Sequence, residues 1–145
     1  MKRLYFSILP IVLAALTCGC GGTPKDIDVD IQAPPVAKSG EEFIITATVE
    51  NHAAKAQKLI SLDIGDQYLD GIAILSTEPN YHDTVHVPIL KTRSYEFDLP
   101  VKPGEKIHVL LHARAVKTGD LNSEIYFYIN SNPSSLTRSL RTTVE

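Results

Sequence analysis

His82-Asp83-Thr84-Val85-His86 sets two imidazoles four residues apart, the spacing of the zinc motif His-Glu-x-x-His. That motif works on a helix, which turns both rings to one face while the glutamate serves as general base. Here Thr84, Val85, Val87 and Pro88 favour extended backbone, where positions four apart lie about 13 Å from each other. Asp83 also replaces the glutamate. The segment reads as surface loop, and no metal is expected in it. His108 and His112 repeat the spacing and meet the same obstacle, because both fall on one expected strand.

Other catalytic constellations are equally poorly supplied. No serine occupies a Gly-x-Ser-x-Gly elbow, and no Ser/His/Asp trio is marked out. Asp28 with Asp30, and Asp63 with Asp66, come nearest to a paired-carboxylate or calcium site. The first pair falls on the outer face of an expected strand, where solvation is the ordinary role. The run from Asp66 to Gly71 lacks the ligand spacing of an EF-hand loop, and no glycine-rich loop is built to hold phosphate. A net charge of −3 and a pI near 5.9 argue against nucleic acid, which needs a basic face. The expectation is a chain that is not an enzyme, with no catalytic residue, metal or cofactor.

Cys18 and Cys20, the only cysteines, carry a different chemistry. They follow Lys2, Arg3 and an apolar run from Leu4 to Leu16 broken by Ser7 and Pro10. That run is shorter than the ~20 residues of a membrane-spanning helix and, with its basic flank, reads as a secretory signal. The small residues of Thr17-Cys18-Gly19-Cys20-Gly21-Gly22 suit a peptidase that binds its substrate extended. A cysteine there offers a sulfur that lipid can alkylate. On these residues the segment resembles the bacterial lipoprotein signal, whose lipobox ends in a small residue before the modified cysteine. The resemblance implies lipid on Cys20, preceded by Gly19; Cys18, with Leu16 two places before it, is the alternative. Because Gly21 rather than aspartate follows, the resemblance also implies export to the outer membrane where the cell has one. A plain secretory signal with incidental cysteines is the competing reading. A disulfide between the two would strain bridge geometry. Residues 1–19 are therefore read as signal, 20–25 as lipidated cysteine and short tether, and 26–145 as one folded domain.

The rest of the chain alternates apolar and polar residues with a period of two, the pattern of half-buried strands. Ile27, Val29 and Ile31 form one such series, and Phe43, Ile45, Ala47 and Val49 another. Ile60, Leu62 and Ile64 alternate with Ser61 and Asp63, and a shorter run surrounds Ile72 and Ile74. Tyr95 to Val101, Ile107 to Ala115 and Ile125 to Ile129 follow, with Leu140 and Val144 on a closing strand. No window carries a helical stripe of comparable length. Lys38-Ser39-Gly40, Lys102-Pro103-Gly104 and Thr118-Gly119-Asp120 supply turn chemistry, and Asn51 ends the second strand. With 43% hydrophobic residues, the chain is rich enough to bury a core. The fold class is all-β: an antiparallel sandwich of about 7–9 strands.

Four segments, Val36 to Glu41, Val49-Glu50-Asn51, Val101 to Glu105 and Lys117 to Asp120, carry a resemblance to bacterial immunoglobulin-like domains. It extends over about residues 26–144. The chain has no Trp and lacks the inter-sheet disulfide of antibody domains, so kinship to those is not implied. What the resemblance implies is a scaffold for spacing, assembly or binding.

Two surfaces are candidates for partners. The connection from Ser76 to Arg93 carries Tyr81 beside His82, an aromatic with hydrogen-bonding neighbours of the paratope kind. Its plain alternative is a sandwich crossover with a short strand at Val85 to Ile89. The second surface assumes a hairpin centred on Gly119. Arg114 would then face Glu124, His112 would face Tyr126, and Leu110 would face Tyr128. Leu110, His112, Tyr126 and Tyr128 would form one outer patch, unless cross-strand packing or another part of the chain covers it. The expected function is a noncatalytic binding or adaptor module, anchored to a membrane through its lipid, with an envelope protein or polysaccharide as partner. An envelope spacer without a ligand is the alternative, and a metal-dependent or hydrolytic enzyme the third.

Overall fold

The computed structural model describes residues 24–145. The signal segment, Cys18, Cys20 and most of the tether lie outside the described residues. Ten strands and one helical turn follow in order. They are β1 Ile27–Gln32, β2 Val36–Ala37, β3 Glu42–Asn51, β4 Gln57–Gly65, α1 Asp66–Leu69 and β5 Ile72–Glu78. Then come β6 Asp83–Val87, β7 Thr92–Val101, β8 Lys106–Ala115, β9 Gly119–Ile129 and β10 Ser135–Val144.

The strands form a four-stranded sheet in the order β1-β3-β8-β5 and a six-stranded sheet in the order β2-β10-β9-β4-β7-β6. Every pairing is antiparallel except the short parallel one between β2 and β10. The alternation explains the layering. Ile45, Ala47 and Val49 of β3 and Val109, Leu111 and Ala113 of β8 point inward and are buried. They meet Leu62, Ile64, Ile125, Phe127 and Ile129 from the other sheet. Burying each large side chain contributes about 1.5–3 kcal/mol, so the dry layer between the sheets holds the fold without a staple.

The ribbon of β3 and β8 is locked at both ends by one repeated device. In Lys38-Ser39-Gly40-Glu41 the Glu41 carboxylate accepts from the Lys38 amide at 2.7 Å, and in Lys102-Pro103-Gly104-Glu105 Glu105 does the same for Lys102 at 2.7 Å. Gly40 and Gly104 adopt φ of 84° and 74°, which only glycine adopts without strain. Each turn then hooks the far end of the other strand, Gly40 to the Ala115 carbonyl and Gly104 to that of Asn51. Asn51 itself is fully buried, and its φ is not left-handed. Its side chain donates to the carbonyls of Lys55 and Val101 and accepts from Ala53 and Gln57.

The structure differs in detail from the expected one at four places. First, β8 and β9 do not pair as a hairpin. β8 lies in the four-stranded sheet and β9 in the six-stranded one, so residues 116–118 arch between layers. Arg114 instead pairs with Glu42, and Glu124 accepts from Tyr126. Burial alternates identically in either arrangement, so the pattern could not distinguish them. Second, the stretch from Ser76 to Arg93 is the crossover between sheets that was the plain alternative, with its short strand, β6, at Asp83–Val87 rather than Val85 to Ile89. Third, β4 has an irregularity between Leu59 and Ser61, so Leu59 rather than Ile60 is fully buried. Fourth, α1 follows β4, and its Tyr68 is fully buried. Tyr68 donates to Thr142 Oγ1 at 2.8 Å, since the Thr142 hydroxyl proton is committed to the Pro34 carbonyl.

Candidate binding trough on the six-stranded sheet

Along the middle of the six-stranded sheet, the two neighbouring strands β4 and β7 present short polar side chains on the outer face. Asp63 stands opposite Ser94, and Gly65 opposite Thr92. On the other side of β4 the neighbours are tall: Asp63 faces Tyr126, and Ser61 faces Tyr128. Side chains of unequal height make a trough. Ser61 at 6%, Asp63 at 6%, Thr92 at 3% and Ser94 at 8% exposure are buried even though they belong to an outer face.

The turn between β6 and β7 closes one end. Lys91 takes φ of 52°, and Asp66 of α1 donates its amide to the Lys91 carbonyl at 2.8 Å. That bond ties the turn to the end of β4. Leu90, 58% exposed, borders a recess of about 140 Å³ with Asp63, Thr92, Tyr126, Tyr128 and Ser135. An adjoining cleft of about 480 Å³ shares Leu90, Thr92 and Tyr126 and extends to Gly65, Asp66 and Glu124.

The polar groups on the floor are unevenly satisfied. Asp63 Oδ1 accepts from Ser61 Oγ at 2.9 Å and from Ser94 Oγ at 2.7 Å. No donor among the described residues meets Oδ2, and no cation among them pairs with Asp63. Thr92 Oγ1 is buried without a hydrogen-bond partner among the described residues. Tyr126 donates to Glu124 Oε2 at 2.8 Å, and this bond holds its phenol above the ordinary pKa. A carboxylate and a hydroxyl with free lone pairs, desolvated beside two tyrosines, can bind a small polar group.

Of the residues singled out from sequence, Tyr126 and Tyr128 of the expected partner patch lie in this trough, with Asp63 of the carboxylate pair, while Asp66 lines the adjoining cleft. Leu110 and His112 face outward on the opposite sheet, where His112 Nε2 meets Glu78 Oε1 at 2.9 Å. Tyr81, in the loop between β5 and β6, packs edge-on against Tyr95 with ring centroids 5.3 Å apart and is partly buried at the core margin. His82 bonds Asp98 at 3.0 Å, and His86 bonds Asp66 at 2.9 Å. His52 and His108 hold Asp28 and Thr48, so the imidazoles are dispersed. Among the described residues no three metal-binding side chains converge. Asp28 and Asp30 are exposed on β1. Sequence reasoning missed Asp63, Thr92, Ser94 and Leu90 as neighbours. The available signal was Ser61 and Asp63 on the polar phase of their strand, with two tyrosines on the polar phase of another.

No protein-family model matches the chain, and no curated protein matches it either. Solved structures do. Native alpha-2-macroglobulin of E. coli aligns with a TM-score of 0.54 and 17% identity over 83% of this chain and 7% of that one. Its portion from domain MG7 to the C-terminus gives 0.53 and 17%, over 82% of this chain and 16% of that one. AvmM, which catalyses macrocyclization in alchivemycin A biosynthesis, gives 0.54 and 10%, over 83% of this chain and 90% of that one. The chain thus spans a small part of the macroglobulins it resembles, and identities this low carry the fold alone. That fold is the immunoglobulin-like β-sandwich.

Proposed function

We propose that this chain is a noncatalytic binding module, held at the cell envelope by lipid on Cys20 and using the outer face of its six-stranded sheet to engage a partner protein. The observation that carries the reading is the trough over Asp63 and Thr92. A fold under no demand but stability would fill such a site with apolar side chains or pair its polar atoms. A spacer needs no desolvated carboxylate beside tyrosines. The anchor rests on residues 1–22, where a basic start, a short apolar run and small residues around two cysteines stand together.

Two measurements test the reading. Mass spectrometry of the mature N-terminus, on the wild type and on the Cys20→Ala and Cys18→Ala variants, should find acyl mass lost only in Cys20→Ala. An unlipidated terminus elsewhere contradicts the anchor. Affinity capture from native membranes should return an enriched partner, and changing Tyr126 and Tyr128 to alanine should remove it while the fold persists. Equal capture by the double variant contradicts the surface, and no enriched partner favours the spacer.

A further inference from the structure

We infer that the recess over Asp63 is a primary-ammonium site, built to take the tip of a lysine side chain from a partner protein. The inference rests on the binding reading above and gives it a chemistry. Asp63 is buried at 6% exposure, and no cation of the described chain reaches it. A desolvated carboxylate is costly unless a positive group pairs with it. A neutral saccharide hydroxyl would leave that charge uncompensated.

The geometry also selects the kind of cation. A guanidinium prefers both oxygens of a carboxylate at once. Here Oδ1 already accepts from Ser61 and Ser94, so only Oδ2 is open, which suits the point charge of an ammonium. Thr92 Oγ1 supplies a second acceptor, buried at 3% exposure and otherwise unused. The rings of Tyr126 and Tyr128 border the same recess, and aromatic faces attract cations. Leu90 on the rim offers apolar surface to a methylene stem. A volume of about 140 Å³ leaves space for one such tip.

The test uses amide-detected NMR titration of the full chain in detergent with four probes: n-butylammonium, the neutral alcohol n-pentanol, a short N-terminally acetylated peptide with one lysine, and the same peptide acetylated at that lysine as well. The expected result is saturable shifts at Asp63, Thr92, Tyr126 and Leu90 with butylammonium and with the free-lysine peptide only. Asp63→Asn should weaken both by about tenfold or more, while His112→Ala on the opposite sheet changes neither. Should Asp63→Asn lose its spectral dispersion, Thr92→Val carries the comparison, with a loss of about threefold expected. Pentanol or the acetylated peptide binding as well as the cations overturns the inference, as does unchanged affinity in both variants. Butylammonium binding without peptide binding overturns the lysine source and leaves a small-amine site. Partner capture that survives in Asp63→Asn sinks the ammonium site alone, whereas capture that survives loss of both tyrosines sinks the binding face.

Discussion

Replacing Thr92 by valine keeps the shape of the side chain and removes a buried hydroxyl that has no partner. Leaving such a group unsatisfied costs about 1–3 kcal/mol, so Thr92→Val should raise the unfolding free energy by about 1 kcal/mol in urea titration. A loss of stability instead would mean that the hydroxyl has a partner, and the trough would lose one of its two free acceptors. Tyrosines give a second prediction at this scale. Burial pushes Tyr68 and Tyr95 from 10.0 up to about 12. Their folded pKa lies above the unfolded one, so the stability they confer is complete below pH 10 and is lost as pH rises from 10 to 12. Denaturation midpoints should hold steady up to the low end of that window and fall across it. Tyr95→Phe should shallow that fall, and an unchanged slope would show Tyr95 ionising as an exposed phenol does.

Among the elements, the end of β4 meets β9 closely at Gly65. A Cβ on Gly65 would lie 1.9 Å from Ser123 Oγ, which would have to swing aside, and 3.2 Å from Ser123 Cβ, so a side chain at residue 65 crowds Ser123 of β9. Gly65→Ala should destabilise by about 1–3 kcal/mol, and adding Ser123→Gly should recover most of it in a double-mutant cycle. Simple additivity would contradict the contact. The alternation of apolar residues made most strands legible, because a strand with one buried face writes its period into the sequence. Less legible were β6 and the irregularity in β4. In β6, Val85 and Val87 alternate over too few residues, and at Ile60 an extra residue shifts the phase while the composition stays apolar. The four residues of α1 are fewer than any helical period needs to declare itself.

At the scale of the whole molecule, strand partners were harder to read than strands. Arg114 and Glu124 look like a matched cross-strand pair, yet their strands lie in different sheets. Inward residues stay inward whichever strand lies beside them, so the same pattern serves a hairpin and an arch. The candidate site suffered in consequence. Tyr126 and Tyr128 were identifiable as outward aromatics, whereas their real neighbours, Asp63 and Thr92, come from strands distant in sequence. Paired cysteines distinguish the two topologies. With Cys18 and Cys20 changed to serine, Ile44→Cys with His112→Cys should oxidise readily, because those residues face each other across β3 and β8. His112→Cys with Tyr126→Cys should not, and a bridge there would restore the hairpin.

We propose that one outer face of this sandwich recognises a partner. Photo-crosslinking in intact cells tests it most directly, with a photoreactive residue placed at Tyr128 on the six-stranded sheet or at His112 on the four-stranded one. A discrete adduct is expected from position 128 and none from position 112. An adduct from position 112 alone, or none from either, would contradict it.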